Sequence, residues 1–377
     1  MEEKKFNKRI VFSVVAVILL IAVVAGATYA YFSAGASSTA QTVTTATMDL
    51  AFDDSTPIVN ATNITPMRQA DIQTKAAKKS FTVINNGTQP MYLQMKLTDV
   101  DMDPQLKDLW FRWALYEEGT RIGIGTFDEA GTEVFMQQNM VLEAGASNAK
   151  NYDLYIWIEE SDENQNAMQG KSFSGKITVN GSMARYEDIA LIWTSSVESG
   201  EEIEEDLYYD TNISTVTTPY ISSEYAAGAF FNDNLKMFTN LSTITFEGDF
   251  YLPEVRRIPI SVTGISGGID IYCWDTSLKH LTNLTSFGGY IEEGFELPSS
   301  VITVNIDAET NDWVGTYDFS NLVNLESFSV NDYYYDEYEE EKTTIILPKS
   351  IENSVEIIID FDEGTEENLE NIEFVYQ

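Results

Sequence analysis

The feature that most constrains the fold is an internal repeat. Phe238-Thr239-Asn240-Leu241-Ser242-Thr243-Ile244 recurs as Leu281-Thr282-Asn283-Leu284-Thr285-Ser286-Phe287, and again as Leu322-Val323-Asn324-Leu325-Glu326-Ser327-Phe328. Asn240 and Asn283 are 43 residues apart, and Asn283 and Asn324 are 41 apart. A second element is interleaved as Leu252-Pro253, Leu297-Pro298-Ser299-Ser300-Val301 and Leu347-Pro348-Lys349-Ser350-Ile351. Each long period therefore divides into two coils of about 20 residues. Apolar triplets such as Leu241, Ile244, Phe246 and Val301, Val304, Ile306 supply one short strand per coil. One coil cannot bury its apolar face alone, so stacking must be the source of stability. Residues 225–377 are expected to form a short solenoid.

From Met48 to Met183 the period is two. Met91, Leu93, Met95 and Leu97 alternate with Tyr92, Gln94, Lys96 and Thr98. Phe111, Trp113 and Leu115 alternate with Arg112, Ala114 and Tyr116, and Leu154, Ile156 and Ile158 with Tyr155, Trp157 and Glu159. Such alternation puts one face in a core and the other toward solvent or a second layer. Asn85-Asn86-Gly87 and Ala144-Gly145-Ala146 read as turns between strands. The expectation is an antiparallel β-sandwich, jelly-roll or immunoglobulin-like, over residues 48–183. Residues 184–224 carry a run of acids and then Ser and Thr, and read as a linker or a cap on the repeats. The fold class expected is mainly β.

The N-terminus has a basic head (Lys4, Lys5, Lys8, Arg9) and an uncharged apolar stretch, Ile10 to Ala25, followed by small residues at Thr28 and Ala30. That is the pattern of an export signal over residues 1–30, cut before Tyr31. Left uncut, residues 10–32 approach the ~20 residues of a membrane span and would anchor the chain. Residues 31–47 read as an exposed arm.

Acids outnumber bases 60 to 22, a net charge of −38. A field of that sign repels phosphate backbones, and no basic patch offsets it, so nucleic acid is excluded as a partner. One cysteine, Cys273, rules out an intrachain disulfide. A content of 44% hydrophobic residues suffices for a core without one. The one histidine, His280, cannot make a His-pair zinc site. It reads as a coil residue and Cys273 as a small core residue, and no catalytic residue is assigned.

Asp99, Asp101 and Asp103 have the every-second-residue spacing of a calcium loop, although Pro104 stands where an EF-hand needs Gly and Trp110 where it needs Glu. Calcium is the one cofactor this spacing admits. Glu159, Glu160, Asp162 and Glu163 form a second acidic loop. Tyr333, Tyr334, Tyr335 and Tyr338 form a candidate contact patch, since Tyr is enriched at interfaces.

Gly26-Ala27-Thr28-Tyr29-Ala30-Tyr31-Phe32-Ser33, Ala46-Thr47-Met48-Asp49-Leu50 and Phe81-Thr82-Val83-Ile84-Asn85-Asn86-Gly87 resemble the TasA/camelysin family of exported β-sandwich proteins. The resemblance covers residues 1–183. It implies processing by a SipW-type signal peptidase, a Gram-positive-type cell surface or exterior, and fibres in which residues 31–50 donate a strand to a neighbouring subunit. Some members have been described as metallo-endopeptidases, but no His-Glu-x-x-His occurs here. The C-terminal repeats resemble bacterial leucine-rich repeats of the BspA or internalin type. They depart from that pattern at Asp249, Thr263, Glu292, Glu309 and Tyr333, where Asn is usual. The reading is a non-enzymatic exported protein that adheres to, or binds, a protein partner through its repeats. The alternative is a structural fibre or biofilm-matrix subunit binding neighbouring copies.

Overall fold

A computed structural model describes residues 33–37, 43–45, 48–53, 58–61, 64–196, 202–217, 233–246, 255–267, 277–308, 313–333, 342–352, 354–361 and 372–377. The chain is mainly β. The first strands in chain order are β1 (Ser33–Ser37), β2 (Val43–Thr45), β3 (Met48–Asp53), β4 (Ile58–Ala61), β5 (Pro66–Met67) and β6 (Ala77–Asn85). One short helix, α1 (Ile72–Lys75), lies between β5 and β6. Then follow β7 (Met91–Met102), β8 (Phe111–Glu117), β9 (Thr120–Thr126), β10 (Val134–Leu142), β11 (Lys150–Glu159) and β12 (Phe173–Ser182). One sheet runs β1-β12-β7-β10, with β4 also on β12; the other runs β2-β3-β6-β11-β8-β9, with β5 on β11. Every pairing among these strands is antiparallel except β5 with β11.

The interior follows from the period-two pattern. On β7, Met91, Leu93, Met95 and Leu97 are buried, while Tyr92, Gln94, Lys96 and Thr98 are half-buried. They meet Phe111, Trp113, Leu115, Leu154, Ile156, Ile158, Ile177 and Val179 in one apolar cluster between the sheets. Asn85 closes a turn of its own: its Oδ1 accepts from Gly87 N at 2.9 Å and its Nδ2 donates to Leu142 O at 3.2 Å. Gly125 on β9 keeps the inner face close, because a Cβ there would lie 2.7 Å from the Trp113 ring.

Within 31–47, expected as an exposed arm, the described parts are strands. Ser33–Ser37 pairs with Thr178–Ser182 of β12, and Val43–Thr45 pairs with Met48–Leu50. The stretch 184–224, expected as a linker or a cap on the repeats, holds three strands where it is described. β13 (Ile189–Ser196) and β14 (Glu202–Tyr209) form a hairpin, and β15 (Thr215–Thr217) is the first rung of a parallel sheet. That sheet thus begins ahead of residue 225.

The rest of the sheet is β16 (Thr243–Phe246), β17 (Gly264–Gly267), β18 (Ser286–Gly289), β19 (Thr303–Asp307), β21 (Ser327–Tyr333) and β23 (Ile357–Phe361), in order β15-β16-β17-β18-β19-β21-β23. A second parallel sheet holds β20 (Gly315–Asp318), β22 (Thr343–Leu347) and β24 (Ile372–Tyr376). Ile244, Ile265, Phe287, Val304 and Phe328 fall in one register column and are all buried, which is the stacking that the repeat requires. Side chains tie coil to coil. Thr263 and Thr285 donate their Oγ1–H to Ser242 O (3.1 Å) and Thr263 O (3.0 Å). Asn283 and Asn321 donate Nδ2–H to Ile260 O and Leu297 O, each at 2.7 Å.

Candidate functional site

β8 and β11 carry the site. Their inward residues alternate as expected, but their outward residues Arg112, Ala114, Tyr155, Trp157 and Glu159 are buried too. The covering layer is the coil stack: Ala114, Ile124, Tyr155 and Trp157 share one apolar cluster with Phe238, Leu241, Leu281 and Leu284. The repeated turns do the docking. Thr239 donates its Oγ1–H to Met136 O at 3.0 Å, and its carbonyl accepts from Ile124 N at 3.2 Å. This approach needs Gly123, where a Cβ would lie 2.9 Å from Thr239 Oγ1. Lys236 reaches across to Asp128 at 2.7 Å.

At the second turn a guanidinium is sealed in. Arg112, fully buried, donates Nη1–H to Thr282 Oγ1 and Nη2–H to His280 O, each at 2.7 Å, and Nε–H to Leu109 O at 3.1 Å. Its charge partner is Glu159 at 3.8 Å. Glu159 also accepts from Trp157 Nε1 at 2.7 Å and from Gln69 N at 3.1 Å. Gln69 and Asn283 exchange amide hydrogen bonds beside this pair. Burial pushes the Arg112 pKa down to about 10, with Glu159 and Asp108 opposing the shift, so the group stays charged at neutral pH. The Trp110 ring lies 5.1 Å from the guanidinium carbon.

Two clefts flank this junction. One, of ≈ 420 Å³, lies between β9 and Ile258–Ile260. The other, of ≈ 680 Å³, opens between the loop Glu160–Glu163 and the coil residues Thr282, Ser299, Ser300, Asn321 and Asn324, with Trp110 and Glu159 in its lining. The second acidic loop thus splits: Glu159 is buried under the coils, and Glu160, Asp162 and Glu163 form a wall of the larger cleft.

The other candidate residues fall elsewhere. Asp99 pairs with Lys176 at 3.3 Å, and Asp103 accepts from Ser172 N at 2.8 Å, which holds its carboxyl below the usual value. Asp101 is exposed on β7, opposite Ser174. Asp99 and Asp103 serve separate contacts, and among the described residues no group of three or more His, Cys, Asp or Glu is gathered to hold a metal ion. Tyr333 ends β21 opposite Phe361, while Tyr334, Tyr335 and Tyr338 lie outside the described residues. So do Thr28, Ala30, Tyr31 and Cys273. Among the described residues no helix is long and apolar enough to cross a membrane, and residues 10–32 lie outside them.

Arg112, Gln69, Thr239 and Thr282 were not picked out from sequence as functional. A signal existed: an Arg, an Ala and a Trp on the outward phase of β8 and β11, where β7 of the other sheet presents Gln, Lys and Thr.

A two-sheet β-sandwich docked against stacked parallel coils is the class of structure these contacts define. The family model described as camelysin metallo-endopeptidase matches residues 5–109, so this N-terminal segment is similar to that family. The match ends between β7 and β8 and leaves the coils outside it. No curated protein matches the chain. The metal in that family's description does not fit the residues present. Residues 5–109 contain neither histidine nor cysteine, and His280 is buried in the junction with its carbonyl held by Arg112.

Proposed function

We propose that this chain is an exported, non-enzymatic protein of a Gram-positive-type cell surface that binds a protein partner through leucine-rich repeats. Its signal is cut before Tyr31 by signal peptidase, or residues 10–32 remain as a membrane anchor. The similarity of residues 5–109 to the camelysin family supports export.

One observation carries the binding reading. From β15 to β21 two outward columns run Thr215, Thr243, Gly264, Ser286, Thr303, Ser327 and Thr217, Thr245, Ser266, Gly288, Asn305, Ser329; the next outward position, Asp307 opposite Asn331, marks the charged border. None of these twelve is charged, in a chain with a net charge of −38. Charged groups are costly to desolvate, and the cores of protein interfaces are depleted of them. Small hydroxyls on a regular sheet leave a face that a partner can cover at little such cost. The test is adhesion of the full chain to target cells. Thr245→Glu with Asn305→Glu is expected to abolish it; unchanged adhesion would overturn the reading.

A second reading, a fibre or matrix subunit, is favoured by the edge of β12. β4 covers Phe173–Lys176 and β1 covers Thr178–Ser182 of the same edge. Exchange of β1 between copies would conserve its hydrogen bonds while linking subunits. Filaments seen by electron microscopy and lost on deleting residues 31–50 would support this reading. Filaments that persist after the deletion would remove it.

A further inference from the structure

The three repeated turns are built alike and used differently. In the second, Thr282 N donates to His280 O at 2.9 Å and Leu284 N to Leu281 O at 2.8 Å. In the third, Val323 N donates to Asn321 O and Leu325 N to Leu322 O, each at 3.0 Å. Asn321 O is therefore the counterpart of His280 O. The first and second turns are covered by the sandwich, whereas the third is open: Val323 is 56% exposed, and Asn321 and Asn324 line the larger cleft.

What fills the second turn indicates what the third would take. There the sandwich inserts a guanidinium, whose Nη2–H is spent on the turn carbonyl. At the third turn the facing wall has the charge to attract the same group. It carries Glu160, Asp162 and Glu163. The cations in the cleft lining are already engaged, Arg68 with Glu160 at 2.9 Å and Lys279 with Glu296 at 2.6 Å. Among the described residues no lysine or arginine pairs with Asp162 or Glu163. The serine hydroxyls and asparagine amides on the coil side suit a polar peptide backbone.

We propose that the ≈ 680 Å³ cleft is a docking site for an arginine-bearing segment of a partner protein, its guanidinium donating to Asn321 O as Arg112 donates to His280 O, with the acidic wall in place of the Thr282 hydroxyl, which Val323 lacks. The acidic wall rules against a phosphate or other anionic ligand. The carbonyl of a turn and the planar fork of a guanidinium favour arginine over lysine. This inference does not depend on export, on fibre formation or on the outward sheet face.

The test is titration calorimetry of the full chain with an acetylated Gly-Arg-Gly-Arg-Gly peptide, against the same peptide carrying citrulline or lysine. Saturable binding of the arginine peptide is expected, at least tenfold tighter than the citrulline peptide and tighter than the lysine one. Asp162→Asn with Glu163→Gln is expected to weaken it tenfold or more, and Asn324→Trp, which fills the cleft, to abolish it. Glu204→Gln with Glu205→Gln, in the β13–β14 hairpin, is expected to leave it unchanged. Equal binding of the citrulline peptide, equal loss from the hairpin variant, or no saturable binding would each overturn the proposal.

Discussion

The two sheets of the sandwich share an interior and differ in what lies beyond them. Along β7 and β12 burial alternates residue by residue, because the outward face meets water. Along β8 and β11 burial is continuous through Arg112, Ala114, Tyr155 and Trp157, because the outward face meets the coils. The difference teaches that the second sheet is an internal layer. The molecule is sheet, sheet, coil stack. The apolar clusters follow this order, since β8 and β11 give Phe111, Trp113, Leu154 and Ile156 to one cluster and Ala114, Tyr155 and Trp157 to the other.

The largest effect should come from breaking the sealed ion pair. Arg112→Ala leaves Glu159 buried without its cation and is expected to cost about 3–5 kcal/mol. Arg112→Met with Glu159→Gln should recover most of it. Urea midpoints of the full chain measure both, and a loss under about 1 kcal/mol would mean that the sheet face is not truly covered. Trp157→Ala should cost about 3–5 kcal/mol, as much as Trp113→Ala on the inner face. If Trp157 proves several-fold cheaper, the coils pack loosely on the second sheet.

Single hydrogen bonds should then separate the two faces. Thr239→Val removes the bond to Met136 O and leaves that carbonyl buried, an expected loss of about 1–2 kcal/mol. Lys176→Ala on the water-facing sheet gives up an ion pair with exposed Asp99 and should stay within about 0.5 kcal/mol. Equal losses would erase the contrast. The smallest effect concerns Asp103, at the open end of β7. Its folded pKa lies below the ordinary 3.8 because the Ser172 N–H stabilises the carboxylate. Its contribution is therefore full above that ordinary value and lost as pH falls through the lowered one. Asp103→Asn should flatten the acid limb of the stability curve, read from urea midpoints at descending pH.

Much of this was legible beforehand. The alternation in β7 and β12 marked the interior side chains, and the recurring Leu-Thr-Asn-Leu marked the coil turns. The acidic stretch was harder to read. Its charges conceal a hairpin whose Leu191 is buried, and β15 carries the single buried apolar residue Val216. The function of the second and third turns was illegible. Thr282 and Val323 occupy equivalent places, yet one meets Arg112 and the other solvent, and the partner stands 170 residues away in the chain.

Strand, turn and coil are therefore settled by local periodicity, since the side-chain directions of a strand and the stacking need of a coil act over a few residues. Tertiary structure decided which sheet face became a layer and which repeat stayed open. A buried charge is stable only where distant groups converge to satisfy it, and no local pattern records that convergence. Arg112 stands on the outward phase of its strand; the acceptors His280 O, Thr282 Oγ1 and Leu109 O and the carboxylate of Glu159 make it an interior residue.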